Sequence, residues 1–351
     1  MSSADFAAKM NKRLGGDFVV QASELIIARR YTSGSLTWDS TLGGGYPANQ
    51  WTEIIGLPSA GKTATTFKCI AANQRMDPDF EALWVAGEHF DKDQAAALGV
   101  DLNRVTVVST RLMEQAFDTL VLGTESREFD CLVLDSYPAL TTGEEAEKTM
   151  EEFTVATGAK LMNKFVRKAN LASVRSLDGT ERPFFGLIIN QWRDQIGGFS
   201  PRGTPKISPG GKGKDYFFYT RIEITRDGDF LKEKRPGSEE EKVGQTIKMK
   251  TIKNKSNAPQ KTATVDFYFA DAPTLGFKRG DYDVAKEYAT IAISLGLIKR
   301  AGAWYRYSGQ QWNGLAGLTD ALRSDSLLRE VLRSEVLTAS TDTSELGQVE
   351  V

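Results

Sequence analysis

The chain has 351 residues, 40% of them apolar, with a formal net charge of -2 at pH 7, two cysteines and one histidine. That length supports one large domain, a smaller companion and a sizeable core, while the near-neutral balance excludes a surface coated in basic charge. Any nucleic-acid contact must then be confined to loops or a groove.

Cys69 and Cys131 each lie in an apolar segment, so they are expected reduced and buried, and with His89 as the sole histidine they leave no His/Cys metal cluster or histidine-rich chemistry. The amino terminus lacks a basic flank followed by an apolar run, and nowhere do about 18 apolar residues stand together. A soluble, unexported protein that does not enter a membrane is predicted.

Within residues 1–31, Phe6, Met10 and Leu14 recur every four positions among Lys9, Lys12 and Arg13, the pattern of a short amphipathic helix. Such a helix cannot stand alone, so it docks on its own core or on a neighbouring subunit. A turn-rich lead follows, with Thr32-Ser-Gly-Ser-Leu and Leu42-Gly-Gly-Gly, and then a strand-like run over 51–55.

Residues 56–63 read Gly-Leu-Pro-Ser-Ala-Gly-Lys-Thr and fit the phosphate-cradling pattern G-x-x-x-x-G-K-[ST]. A loop aiming several backbone N–H groups at one triphosphate must bend where side chains would clash, hence Gly56 and Gly61. Lys62 supplies a point charge for the outer phosphates, and the Thr63 hydroxyl is a ligand for Mg²⁺. The predicted nucleotide contacts are Gly56, Leu57, Pro58, Ser59, Ala60, Gly61, Lys62, Thr63 and Ala64.

From Lys62 to Asn190, apolar runs over 82–86, 105–108, 131–134 and 184–189 alternate with helical patterns, the signature of a parallel sheet with helices on both faces. Their carboxyl ends carry Glu88, Ser109, Asp135 and Gln191, where such sheets bind ligands. Asp135 closes an apolar run at the distance expected of a carboxylate that holds Mg²⁺ through water. Glu88 either orients and deprotonates an attacking water or caps a helix. Gln191 is either a γ-phosphate sensor or a surface glutamine.

Residues 193–214 hold too much glycine and proline for a regular element, and carry Arg193, Arg202, Lys206, Lys212 and Lys214 against Asp194 alone. Three β-like runs over 219–225, 246–252 and 263–269 follow, joined by a charged turn over 232–242. Lys253 and Lys255 share one side of a strand, either capping a phosphate across a subunit boundary or lying on a solvated edge. Phe90, Trp192 and Tyr216 are base-stacking or packing residues. From Asp281 the pattern is mostly helical, and 338–351 is polar and acidic, expected without structure.

Taken together, these segments resemble the RecA family of homologous-recombination ATPases over residues 32–336. Further strings that carry the likeness are Gly87-Glu-His89, Leu98-Gly-Val-Asp101, Leu134-Asp-Ser136, Ile189-Asn-Gln191, Pro209-Gly-Gly211, Ile252-Lys-Asn-Lys255 and Ala301-Gly-Ala-Trp-Tyr305. The resemblance implies an α/β fold: a RecA-type P-loop ATPase core with a mostly parallel central sheet over 32–270, a subunit-contact segment over 1–31 and a small α+β domain over 271–337. It implies that Glu88 is the catalytic glutamate, that Gln191 senses the nucleotide, and that Lys253 and Lys255 reach the ATP of an adjacent protomer.

Asp91, Gln94 and Phe269 then fall near the adenine, with Gln94 where many members have a stacking tyrosine. The first DNA loop spans 143–159, with Val155 where a methionine is common, followed by Lys160, Asn163 and Arg167. The second contains Gly210 and Gly211. In the second loop, Lys212-Gly-Lys-Asp-Tyr216 replaces the usual Asn-Ala-Leu-Lys-Phe. An insertion over 173–182 lengthens the approach to the last core strand. The expected protein is a divergent, DNA-dependent ATPase of a bacterial or phage-infected bacterial cytoplasm, using ATP and Mg²⁺. It would form helical homo-oligomers on single-stranded DNA, bind double-stranded DNA and exchange strands. A ring-forming helicase or translocase is the alternative.

Overall fold

The computed structural model describes residues 2–15, 19–22, 29–149, 157–173, 181–194 and 206–346. Helix α1 (Ser3–Leu14) opens with a capping box between Ser2 and Asp5 and buries none of its residues; Phe6 and Leu14 are each 52% exposed. Strands β1 (Arg30–Tyr31) and β2 (Tyr46–Pro47) pair around α2 (Leu36–Leu42), which Ser35 caps.

The core then alternates: β3 (Gln50–Gly56), α3 (Lys62–Met76), β4 (Ala82–Ala86), α4 (Lys92–Ala97), β5 (Val105–Ser109), α5 (Met113–Ser126), β6 (Cys131–Asp135), α6 (Gly143–Glu147), α7 (Thr157–Ser173) and β7 (Phe185–Gln191). A two-residue ribbon of β8 (Arg193–Asp194) and β9 (Lys206–Ile207) follows, then α8 (Gly213–Phe217) and the strands β10 (Thr220–Lys234), β11 (Glu240–Asn254) and β12 (Thr262–Tyr268).

One eight-stranded sheet has the order β12-β11-β10-β3-β7-β6-β4-β5. It is parallel from β10 to β5, and β11 and β12 add on antiparallel. Strands β4 and β6 are buried at every position, as strands covered on both faces must be. The two-residue period splits them: Trp84 and Val133 pack with Phe67 and Ile70 of α3, whereas Leu83, Val85, Leu132 and Leu134 pack with Phe117 and Leu120 of α5 and Phe165 of α7.

The antiparallel hairpin is longer than the sequence suggests. Of the residues expected in a charged turn over 232–242, those at 232–234 and 240–242 continue the ladder and the turn itself is confined to 235–239. Lys232 meets Glu240 at 2.8 Å, and such cross-strand charge pairing lets a polar segment remain extended.

The carboxyl-terminal unit contains α9 (Val284–Ser294), a three-stranded sheet of β13 (Lys299–Ala301), β14 (Trp304–Tyr307) and β15 (Gln310–Asn313), and helices α10 (Gly314–Ser324) and α11 (Ser326–Leu346). Leu318, Leu322, Leu332 and Val336 close its own core against Ala289 and Tyr305. Helix α11 continues to Leu346, into the stretch expected without structure, and 347–351 lie outside the described residues.

Candidate nucleotide site and its surroundings

Strand β3 delivers Gly56 to the carboxyl edge of the sheet, and Gly61 (φ +102°) caps α3 in the left-handed region. Both glycines are also required by what lies beneath them. A Cβ on Gly56 would lie 2.3 Å from the Ile224 carbonyl oxygen, and one on Gly61 would lie 2.8 Å from Ile247 Cδ1. Strands β10 and β11 thus press the loop into shape from below, a demand invisible in the octapeptide itself.

Around the loop opens a cleft of about 1070 Å³. Leu57, Pro58, Ser59, Ala60, Lys62, Thr63 and Ala64 line it together with Glu88, Gln94, Asp135, Gln191 and Phe269, so most of the sequence-predicted set converges. The Lys62 ammonium donates to the carbonyls of Gly56 (3.2 Å) and Leu57 (2.8 Å), and burial lowers its pKa against the opposing charges of Asp135 and Glu88. Its charge is held over the loop mouth, where an anion would find it.

The Thr63 hydroxyl donates to Asp135 Oδ2 at 2.8 Å. Burial pushes the Asp135 carboxyl up to about 6, and the Glu88 charge adds to the rise, while Thr63 and Lys62 hold it down. Two hard oxygens at this separation suit Mg²⁺, which takes few protein ligands and keeps several waters. Among the described residues no group of three or more His, Cys, Asp and Glu side chains gathers as a metal cage. Glu88 Oε1 accepts from the Ser136 hydroxyl at 2.5 Å, which fixes the carboxylate at the strand ends beside Asp135.

Asp91 sits differently from its partners. Its Oδ1 accepts the backbone N–H groups of Asp93 and Gln94, capping α4, and it lines an adjoining pocket of about 420 Å³ with His89 and Phe90. A helix N-cap engages one of its oxygens.

Gln191 ends β7 at the cleft, and Asn190 just before it donates to Glu53 Oε1 (2.8 Å) and the Pro209 carbonyl (3.0 Å). The second predicted DNA loop therefore starts and finishes against the P-loop strand. Gly210 (φ +111°) and Gly211 (φ +77°) turn the chain onto α7, and Gly213 lies so close to Asn163 that a Cβ there would meet its Oδ1 at 2.0 Å. Lys160, Arg167, Lys206, Lys212 and Arg193 are exposed around this junction. Val155 and Arg202 lie outside the described residues.

Lys214 departs from the expectation. It is buried, with Nζ 2.8 Å from Glu53 Oε1 and 3.1 Å from Asp215 Oδ1, so in this conformation it is an internal ion-pair partner and offers no charge to a phosphate. The loop composition counted it as basic; the fold turned it inward to neutralise Glu53.

Lys253 and Lys255 do not line the cleft of their own chain. Asn254 pairs with Thr220, which pairs with Thr52 near the start of β3, whereas the P-loop leaves the other end of β3. Lys253 donates to the carbonyls of Asp215 (2.8 Å) and Tyr216 (3.1 Å), and Lys255 is exposed, its ammonium 5.7 Å from the Tyr219 ring.

Sequence reasoning placed Ser136 at a ligand-binding strand end without giving it a role, and missed Arg226, Phe230 and Gln245 among the residues lining the cleft. The latter three lie far along the chain on the antiparallel pair, and no local signal points to them.

A glycine loop opening a helix at the carboxyl edge of a parallel sheet, with Lys, Thr and strand-end carboxylates facing one cleft, defines a P-loop nucleotide-binding protein. Residues 5–273 match the family model of the RecA N-terminal domain. The chain is 32% identical to Protein RecA of Chlorobaculum tepidum, covering 92% of this chain and 86% of that protein. Identity to Protein RecA of Chlorobaculum parvum is also 32%, over 94% and 88%. For Protein RecA of Mycoplasma mycoides subsp. mycoides SC it is 30%, over 85% and 79%. The chain belongs to the RecA family. Among the described residues no helix is long and apolar enough to cross a membrane.

Proposed function

We infer that the chain is an ATP-dependent recombinase that polymerises on single-stranded DNA and pairs it with homologous duplex. The observation that carries this reading is membership of the RecA family with Lys62, Thr63, Glu88, Asp135 and Gln191 gathered on one cleft. A ring-forming helicase on the same core is not favoured, since the relatives matched over most of their length are RecA proteins.

Backbone N–H groups of the loop and the Lys62 ammonium bind the triphosphate, and Thr63 with Asp135 would hold Mg²⁺. The metal supplies charge neutralisation on the phosphate oxygens. Glu88, held by Ser136, accepts a proton from the attacking water as its oxygen bonds to the γ-phosphorus and the bond to the β-phosphate oxygen breaks. Gln191 reports the γ-phosphate to the loop that follows it. Exposed Arg193, Lys206, Lys212, Lys160 and Arg167 contact DNA phosphates, together with Arg202, while Val155 wedges between DNA bases.

The trans role of Lys253 and Lys255 is supported by the absence of both from the lining of their own chain's cleft. Through β10, Lys253 registers with Glu53, three residues and about 10 Å short of Gly56 along β3 and two strands to the side. The unburied apolar face of α1 is likewise suited to a neighbouring subunit.

Joint-molecule formation between a labelled single strand and homologous duplex tests the reading. ATP-dependent joints restricted to homologous duplex are expected. Equal yields with unrelated duplex would overturn it.

A further inference from the structure

We propose that Phe230 is a specificity-determining residue for the base of the bound nucleotide, forming with Phe269 the aromatic corner of the cleft. The inference rests on reading this cleft as the ATP site. Its origin is a break in the β10–β11 ladder: Asp227 pairs with Thr246 and Phe230 with Gln245, which leaves Gly228 and Asp229 without counterparts. Gly228 takes φ +70°, and the extra residues re-aim the side chain that follows, as bulges do.

That side chain has no share in the core. Among the described residues Phe230 belongs to none of the buried apolar clusters and is only half-buried, yet it lines the same cleft as the P-loop. Phe269 stands edge-on to it, with ring centroids 6.1 Å apart and planes at 84°. Two rings at right angles make a corner, and since cations lie over the Phe230 ring, a flat heteroaromatic would stack on Phe269 and meet the edge of Phe230.

The charges around Phe230 favour the same ligand. The Arg226 guanidinium lies 4.2 Å from its ring centroid and also lines the cleft, while the Lys242 ammonium lies at 4.7 Å. A guanidinium held on an aromatic face stacks planar groups and attracts phosphate oxygens, so base and phosphate tail are both provided for. Gln94, in the same cleft, contributes an amide without a ring. A purine nucleoside triphosphate, whose two-ring base offers the larger stacking area, is the ligand class this corner fits.

The test compares full-length wild type with Phe230→Ala and Phe230→Leu, measuring Kd for Mg²⁺-ATP, Mg²⁺-UTP and inorganic tripolyphosphate, with circular dichroism as the folding control. Phe230→Ala is expected to weaken ATP about tenfold, to narrow the preference for ATP over UTP, and to leave tripolyphosphate unchanged. Phe230→Leu, which keeps apolar bulk without the ring, should fall between. Unchanged ATP affinity, or equal losses for ATP and tripolyphosphate, would overturn the role of Phe230 while leaving the ATP site standing. Wild type that binds tripolyphosphate and ATP equally overturns the base corner, and wild type that binds neither overturns the nucleotide reading beneath it as well.

Discussion

Lys214 and Glu53 meet as an internal ion pair, Nζ to Oε1 at 2.8 Å, with side chains 1% and 0% exposed. The second Glu53 oxygen takes Arg221 Nε at 2.6 Å, and the Ser208 hydroxyl accepts from Lys214 at 2.5 Å. The clasp ties the end of a basic loop to the strand that feeds the P-loop. An ion pair in this setting costs its desolvation, so its loss is felt mainly through the partner left behind.

Lys214→Met is accordingly expected to lower unfolding stability by about 3 kcal/mol, and a Glu53→Gln/Lys214→Met double variant to recover part of it. Urea titration reads both. In salt titrations of single-strand binding, Lys212→Ala should reduce the slope of log K against log salt by about 0.7, the single-strand value for one phosphate contact. Lys214→Met should leave the slope unaltered. Equal flattening in both variants would mean that Lys214 leaves its pocket on DNA.

Lys62→Ala should abolish ATP hydrolysis, because the Lys62 ammonium is the cation the P-loop itself carries to the outer phosphates. Glu88→Gln should retain ATP and DNA binding yet lose turnover by roughly 10²- to 10⁴-fold, the usual contribution of a positioned base. Single-turnover hydrolysis on DNA is the measurement, and a wild-type rate for Glu88→Gln contradicts the assignment.

The placement of Lys253 away from its own cleft predicts complementation. Lys62→Ala and Lys253→Ala protomers, each inactive alone, should regain activity when mixed, since about a quarter of joints in an equal mixture combine the two intact faces of a head-to-tail interface. Lys253→Ala keeping full activity by itself, or a mixture as inactive as its parts, argues against a shared site.

Glu287 joins the carboxyl-terminal unit to the core, where its carboxylate accepts from the hydroxyls of Ser35 and Thr37. Burial pushes it up from 4.5 to about 7, the Asp39 charge adds to the rise, and Ser35 and Thr37 oppose it. The nearby Lys68 ammonium, lowered by its own burial, faces the same region with Arg75 and Asp281. Because the folded form holds its proton to higher pH than the unfolded chain, stability should fall as pH rises from about 4.5 to 7 and then level off. Glu287→Gln should flatten that slope and stabilise the protein at pH 8 by up to roughly 3 kcal/mol. Melting temperatures of both proteins from pH 5 to 8 decide it; parallel curves would exclude Glu287 as the source.

Much of the candidate nucleotide site was legible because its parts are contiguous or end apolar runs. Gly56 to Thr63 are neighbours in the chain, and Glu88, Asp135 and Gln191 each follow a run whose burial on both faces forces a strand. Less legible were residues whose direction depends on what packs behind them. Lys214 looked like a phosphate contact and is sealed against Glu53, and Asp91 commits one of its two carboxylate oxygens to capping α4.

The sequence alone determined the alternating core, the P-loop and the strand-end carboxylates, since each is set by local spacing and by the backbone freedom of glycine. Only the tertiary structure decided which basic residues face solvent, that Lys253 and Lys255 stay out of the lining of their own cleft, and that a break in the β10–β11 ladder brings Phe230 to it. The physical reason is that side-chain direction in loops and at bulges is fixed by close packing between segments remote in the chain, whose contacts no local periodicity encodes.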